Sequence, residues 1–271
     1  MTTAALEAAI AARDTEAARD LVIGVLHDAG DFTVAFPAAL EAPATSTAPE
    51  FVVAIKALVA SVKAAQGTAA LKGQPAVLLV VPSAPRAAAL CGLLRRKGVQ
   101  VAKLFARHLD LAEQASFLRL NRVDVGVGTP GRLGRLLTDD ALDLGALRHV
   151  LLDVTADAKE MCFFSTVGKG QARRPDADEL SAMLRAGSFP AALGAPKLKR
   201  RAVLTPVMLP DQRAIEDATP ATQLMGGRGN KGRGRGGRAR GSARGGFAGR
   251  GGRTAPRASA FEKRGAIGKQ R

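Results

Sequence analysis

Thr129-Pro130-Gly131-Arg132 is the run in this 271-residue chain best suited to holding a phosphate. It follows the apolar stretch Val123-Asp124-Val125-Gly126-Val127-Gly128 directly and opens a segment with leucines at 133, 136 and 137. A strand that closes on Gly and turns through these four residues into a helix aims free backbone N–H groups outward at positive potential. Thr129 can cap that helix and Pro130 suits its first turn. Arg132 adds a rigid, bidentate donor for a phosphate oxygen.

Such a corner works only if a sheet holds it. Short apolar runs at 77–81, 99–105, 124–127 and 150–152 alternate with helical patterns at 85–97, 109–120 and 130–137. Continuous apolar strands separated by helices of roughly ten residues are what a parallel sheet covered on both faces requires. The expected fold class is therefore α/β, a three-layer parallel sheet with flanking helices. Residues 51–66 read as a helix with Phe51, Ile55, Leu58 and Val62 on its core face, and 178–185 as another. Residues 1–30 read as helix, 31–49 as a loop around Pro37, Pro43 and Pro49, and 202–204 as a last apolar stretch.

Four elements in this order resemble the first RecA-like domain of a DEAD-box RNA helicase. Pro82-Ser83-Ala84-Pro85-Arg86-Ala87 follows a strand, as that family's first RNA-backbone motif does. Lys103-Leu104-Phe105-Ala106-Arg107-His108, with Gln114 downstream, lies where a Gly-Gly element and its Gln occur. Thr129 to Arg132 matches the third element outright, and Val150-Leu151-Leu152-Asp153 takes the place of the strand before Asp-Glu-Ala-Asp. Residues 201–208 resemble more weakly the strand ending in Ser-Ala-Thr. The resemblance implies RNA-facing roles for Ser83, Arg86, Arg107, His108, Thr129, Pro130, Gly131 and Arg132. Arg86 also fits a solvated helix residue, Arg107 and His108 a strand-end salt bridge, and Asp153 a structural acid.

ATP hydrolysis needs a phosphate-cradling loop with Lys and a hydroxyl for Mg²⁺. No Gly-x-x-x-x-Gly-Lys-Ser/Thr occurs; Gly168-Lys169-Gly170 lacks the upstream Gly and the hydroxyl. Val154 follows Asp153 where the catalytic Glu would stand, and these residues leave no room for a second RecA-like domain before the C-terminal segment. An RNA-facing fold without its motor resembles the Cms-type small-subunit processome proteins, degenerate relatives of DEAD-box helicases. Residues 82–87, 103–108 and 125–132 carry that likeness, Lys-Leu-Phe-Ala-basic-His most of all. It implies a non-catalytic factor that needs no cofactor or small-molecule substrate, with pre-ribosomal RNA and ribosome-assembly proteins as partners and the nucleus and nucleolus as location.

Composition adds an independent nucleic-acid signal. The formal charge is +16, yet residues 226–271 alone hold eleven Arg and three Lys against one Glu, and 15 of the 30 Gly. A segment with so little to bury is expected to be disordered and to bind a polyanion. Arg228, Arg233, Arg235, Arg238, Arg240, Arg244, Arg250 and Arg253 sit in Arg-Gly-Gly-type sequence with Phe247 among them. Arg pairs with phosphate, Phe stacks on bases, and Gly lets the backbone follow an irregular RNA surface. No amphipathic or lipidation signal points to a membrane, no apolar run reaches the roughly 18 to 20 residues of a span, and Cys91 and Cys162 lack metal-ligand spacing.

The expected organisation is a helical and loop N-terminal extension at 1–49, a degenerate RecA-like domain at 50–210, and a disordered Arg/Gly-rich RNA-binding tail at 211–271. The expected function is a non-catalytic RNA-binding assembly factor in small-subunit biogenesis. The competing readings are an ATP-dependent RNA helicase or a fragment of one, and a general RNA chaperone driven by the Arg-Gly-Gly tail.

Overall fold

The computed structural model describes residues 3–26, 34–40, 47–66, 73–106, 109–155, 162–164, 166–167, 172–173, 175–194 and 202–218. A parallel sheet organises them. Its strands are β1 (Val77–Val80), β2 (Val101–Leu104), β3 (Val125–Gly128), β4 (His149–Asp153) and, after a two-residue antiparallel pair β5 (Thr166–Val167) and β6 (Ala172–Arg173), β7 (Val203–Val207). The strand order is β2-β3-β1-β4-β7, and every neighbouring pair runs parallel. Val34 makes a parallel bridge to Leu204, extending the sheet past β7 by a single residue.

The strands read as unbroken apolar runs because each face of the sheet is covered, so both sets of alternating side chains are buried. Leu78, Val80, Ala102, Leu104, Val150, Leu152 and Leu204 belong to one core cluster, while Val77, Leu79, Val101, Val125, Val127, Leu151 and Val207 belong to the other. Burying each such Val or Leu side chain contributes about 1.5–3 kcal/mol. The first face is covered by α1 (Thr3–Ala11), α2 (Thr15–Val25), α5 (Leu111–Leu120), α6 (Pro130–Thr138), α7 (Pro175–Leu184) and α8 (Phe189–Gly194). The second is covered by α3 (Ala48–Gln66), α4 (Ala84–Arg96) and α9 (Gln212–Asp217), with a 3₁₀ turn at Ala38–Leu40. This is the three-layer α/β architecture, a parallel sheet with flanking helices, expected from the sequence. Phe51, Ile55, Leu58 and Val62 form the buried face of α3 as their spacing requires.

Three features depart from the sequence reading. The N-terminal helix is two helices, because Arg13 takes a positive φ of 55° and Asp14 caps α2 by accepting from the Ala17 N–H at 2.9 Å. The boundary at residue 50 marks no division in packing: Leu6, Ile10, Val22, Leu26 and Val34 share a core cluster with β1 and β4. Beyond residue 210, α9 places Ile215 in the second core, with the Asp211 carboxylate capping the helix through the Ala214 N–H. Residues 219–271, including the Arg/Gly segment, lie outside the described residues.

Candidate nucleic-acid interface

Parallel strands direct every following helix away from one edge, so helix N-termini gather at the carboxyl ends of the strands. Ser83 precedes α4 after β1, and Thr129 precedes α6 after β3; β1 and β3 are neighbours, with Val80 in register with Gly128. Both cap residues have the extended backbone an N-cap requires, φ −140° and ψ 150° for Ser83 and φ −96° and ψ 149° for Thr129. Each helix has Pro in its first turn, and neither hydroxyl makes a capping hydrogen bond. The sequence expectation that Thr129 caps α6 through its side chain is therefore not met. By contrast Asp14, Asp110 and Asp211 all accept from the backbone of their own helices. Two adjacent, positively polarised helix starts thus keep their hydroxyls uncommitted.

Arg132 is half-buried, and its Nη1 donates to Gln114 Oε1 at 3.1 Å. Gln114 is itself buried and donates through Nε2 to the carbonyls of Lys103 at 3.0 Å and Phe105 at 2.9 Å. The chain ties the Thr-Pro-Gly-Arg corner to the end of β2 through one amide, which holds the guanidinium at the carboxyl edge. Pro130 is buried and Gly131 half-buried. Gly131 faces α7: a Cβ there would lie 2.6 Å from Glu179 Oε2. A carboxylate over the start of α6 suits the helix dipole, and it also places negative charge where a phosphate would come.

Arg86 is not at this surface. It is 2% exposed and its guanidinium pairs through Nε and Nη2 with Asp153, which is 0% exposed; Nη2 also donates to Pro210 O at 3.1 Å. The first turn of α4 faces the sheet at this position, so a guanidinium there reaches the carboxyl end of β4 rather than solvent. Asp153 Oδ1 accepts from the Thr155 N–H at 3.0 Å, and the Thr155 hydroxyl exchanges hydrogen bonds with the Leu209 backbone. The chain's own side chains thereby fill the rim between β1, β4 and β7. Asp153 acts there as a structural acid, and the following Val154 is buried.

Ser83, Thr129, Pro130, Gly131 and Arg132 are brought to one edge, whereas Arg86 is withdrawn beneath it. Arg107, His108, and the tail residues Arg228, Arg233, Arg235, Arg238, Arg240, Arg244, Phe247, Arg250 and Arg253 lie outside the described residues. Among the described residues no group of His, Cys, Asp and Glu could hold a metal ion, and no helix is long and apolar enough to cross a membrane. Burial pushes the Cys91 thiol up to about 12, against smaller opposing effects of Arg95 and Lys103, so it stays protonated and inert. Sequence reasoning missed the Gln114–Arg132 tie and Glu179. The i+18 spacing of the first carries no local signal, and the second depends on how α7 packs.

A five-stranded parallel sheet covered on both faces, with polarised helix starts lined along its carboxyl edge, defines a three-layer α/β domain. Residues 35–168 match the protein family described as CMS1, U3-containing 90S pre-ribosomal complex subunit, which bears out the resemblance to Cms-type proteins read from the motifs at 82–87, 103–108 and 125–132. Protein CMS1 of Chaetomium thermophilum is 42% identical over 86 residues, which are 31% of this chain and 34% of that protein. Protein CMSS1 of Xenopus laevis is 34% identical over 79 residues, 28% of each. The chain thus spans about a third or less of the curated relatives it matches.

Among solved structures, a DEAD box protein from the hyperthermophile Methanococcus jannaschii is 17% identical with a TM-score of 0.36, covering 66% of this chain and 40% of that one. A variant of S. cerevisiae Dbp5 bound to RNA and ADP BeF3 is 13% identical with a TM-score of 0.35, covering 74% and 42%. The fold assignment rests on the strand order and two-sided burial described above.

Proposed function

We propose that this chain is a non-catalytic RNA-binding assembly factor for the small ribosomal subunit, acting on pre-ribosomal RNA in the nucleolus. One observation carries the RNA half: the adjacent starts of α4 and α6, each with an uncommitted hydroxyl at its N-cap, and Arg132 held beside them. Phosphate oxygens spaced along one strand of RNA suit that edge, with Ser83 and Thr129 donating hydroxyls and Arg132 its remaining N–H groups. The Arg/Gly segment at 226–271 adds diffuse, salt-sensitive affinity. The assembly half is supported by the match to a 90S pre-ribosomal complex subunit. The non-catalytic half is supported by the missing phosphate loop, by Val154 after Asp153, and by the Arg86–Asp153 pair at the strand ends.

The test is a titration of the chain, and of the chain lacking 226–271, with single-stranded RNA at moderate salt. Arg132→Ala is expected to lower affinity by about 1–2 kcal/mol in both, the scale of a charge-assisted hydrogen bond. Deleting the tail is expected to flatten the salt dependence without abolishing binding. RNA binding that vanishes with the tail and ignores Arg132 would leave the general RNA chaperone as the better description. RNA-stimulated phosphate release from ATP would overturn the non-catalytic half.

A further inference from the structure

Helix α5 turns two large apolar side chains toward solvent beside an open cleft of about 780 Å³. The large apolar side chains exposed among the described residues are Val53, Phe117, Leu120 and Met208, and two of these four line this cleft. They stand three residues apart, on one helical face, while the buried Leu118 anchors α5 in the domain and the buried Gln114 closes the floor of the cleft. Leu120 is 70% exposed, so the core does not account for it. A paired apolar ridge over a cleft of this size marks an interaction surface rather than a stray leucine.

The far wall of the cleft is cationic. Lys103 of the edge strand β2 and Arg95 of α4 line it. The lining acid is Glu113, and its Oε2 is turned back to accept from the Asp110 N–H at 3.1 Å in the capping box of α5. Among the described residues lining the cleft, no carboxylate forms an ion pair with either cation. The edge of β2 is also closed to strand addition. Arg95 donates to Val101 O, at 2.7 Å through Nη2 and 3.3 Å through Nε, and Gln114 covers the carbonyls of Lys103 and Phe105. An incoming strand would find those acceptors taken, which leaves a helix as the segment able to fill the cleft.

We propose that the α5–β2 cleft docks an acidic amphipathic helix of a partner protein. Large apolar side chains at i and i+3 or i+4 of that helix pack on Phe117 and Leu120, and Asp or Glu beside them pairs with Lys103 and Arg95. Charge excludes the chain's own C-terminal segment as occupant, since residues 226–271 hold eleven Arg and three Lys against one Glu. The aliphatic lining from Leu109, Ala112 and Leu120 favours protein over a nucleic-acid strand, which would use Phe117 and the cations and leave that lining unmatched. This inference stands apart from the RNA-binding reading of the carboxyl edge.

The test uses the full chain and a synthetic Leu/Glu amphipathic helix of roughly fifteen residues, long enough to be helical when docked. It carries one photoreactive leucine, and labelled sites are mapped by mass spectrometry. Labels are expected on α5, with Leu120→Gln and Lys103→Glu each reducing them about tenfold, the equivalent of 1.4 kcal/mol. A helix with Lys in place of every Glu is expected to leave α5 unlabelled. Labels confined to 226–271, equal labelling of α5 in Leu120→Gln, or equal labelling by the Lys helix would each overturn the proposal. So would a photoreactive oligouridylate that labels α5, sensitive to the same two substitutions, where the acidic helix does not.

Discussion

Taking a guanidinium and a carboxylate out of water costs several kcal/mol per ion, and Arg86 and Asp153 offset this through their mutual hydrogen bonds and the Pro210 carbonyl. Removing one partner leaves the other buried and uncompensated. Arg86→Met is therefore expected to lower unfolding free energy in urea by about 3–5 kcal/mol, and Arg86→Met with Asp153→Leu to recover most of it. A single-variant loss below about 1 kcal/mol would mean that the pair is not holding the rim together. His149, at the start of β4, is a second residue whose environment sets its chemistry. Burial first, and the neighbouring Arg148 second, push its pKa below the ordinary 6.5, and its buried Nδ1 has no hydrogen-bond partner. As pH falls through that ordinary value the unfolded chain takes up the proton before the folded one. Folding stability is then lost as pH falls from neutrality through that ordinary value. His149→Gln is expected to flatten that slope relative to the parent in paired denaturant melts, and an unchanged slope would remove His149 as its source.

Helix α6 shows how an element can serve two masters. The resemblance of residues 129–132 to a nucleic-acid-contacting motif implies an RNA-facing role for Gly131. In the fold, Gly128 lets β3 approach β2, since a Cβ there would lie 2.4 Å from Leu104 O, and Gly131 admits Glu179 of α7. Gly187, at φ +50°, lies against Leu137 O and turns the chain after α7. Packing therefore gives Gly131 a steric reason to be glycine besides the RNA-facing role that the resemblance implies. The carboxylate of Glu179 also competes with an incoming phosphate at the start of α6. Glu179→Gln is expected to strengthen RNA binding by up to about 1 kcal/mol, the energy of one unit charge at close range in water. Since Glu179 is exposed, little loss of stability should accompany it; weaker binding in this variant would instead make Glu179 part of the RNA contact.

At the scale of the whole molecule, the sheet collects pieces from far apart in the chain. Val34 meets Leu204, the Leu26 carbonyl accepts from the Ser181 hydroxyl at 3.2 Å, and the Ala35 carbonyl accepts from the Thr205 hydroxyl at 2.6 Å. Local signals were enough to read the alternating strands and helices between 77 and 153, because unbroken apolar runs and helical spacing are properties of neighbours in sequence. The same holds for the buried face of α3, the strand-to-helix corner at Thr129, and the concentration of Arg and Gly after Met225. What sequence left open depended on distance in the chain. Whether Arg86 faced RNA or lay buried turned on Asp153, 67 residues away. Whether residues 1–49 stood apart turned on where Leu6, Ile10 and Val22 found apolar partners, and whether Gly131 met a ligand turned on α7. A side chain's type and spacing state what it can do, but only the fold decides which groups reach it first. Charge and backbone pattern are local; burial and partnership are not.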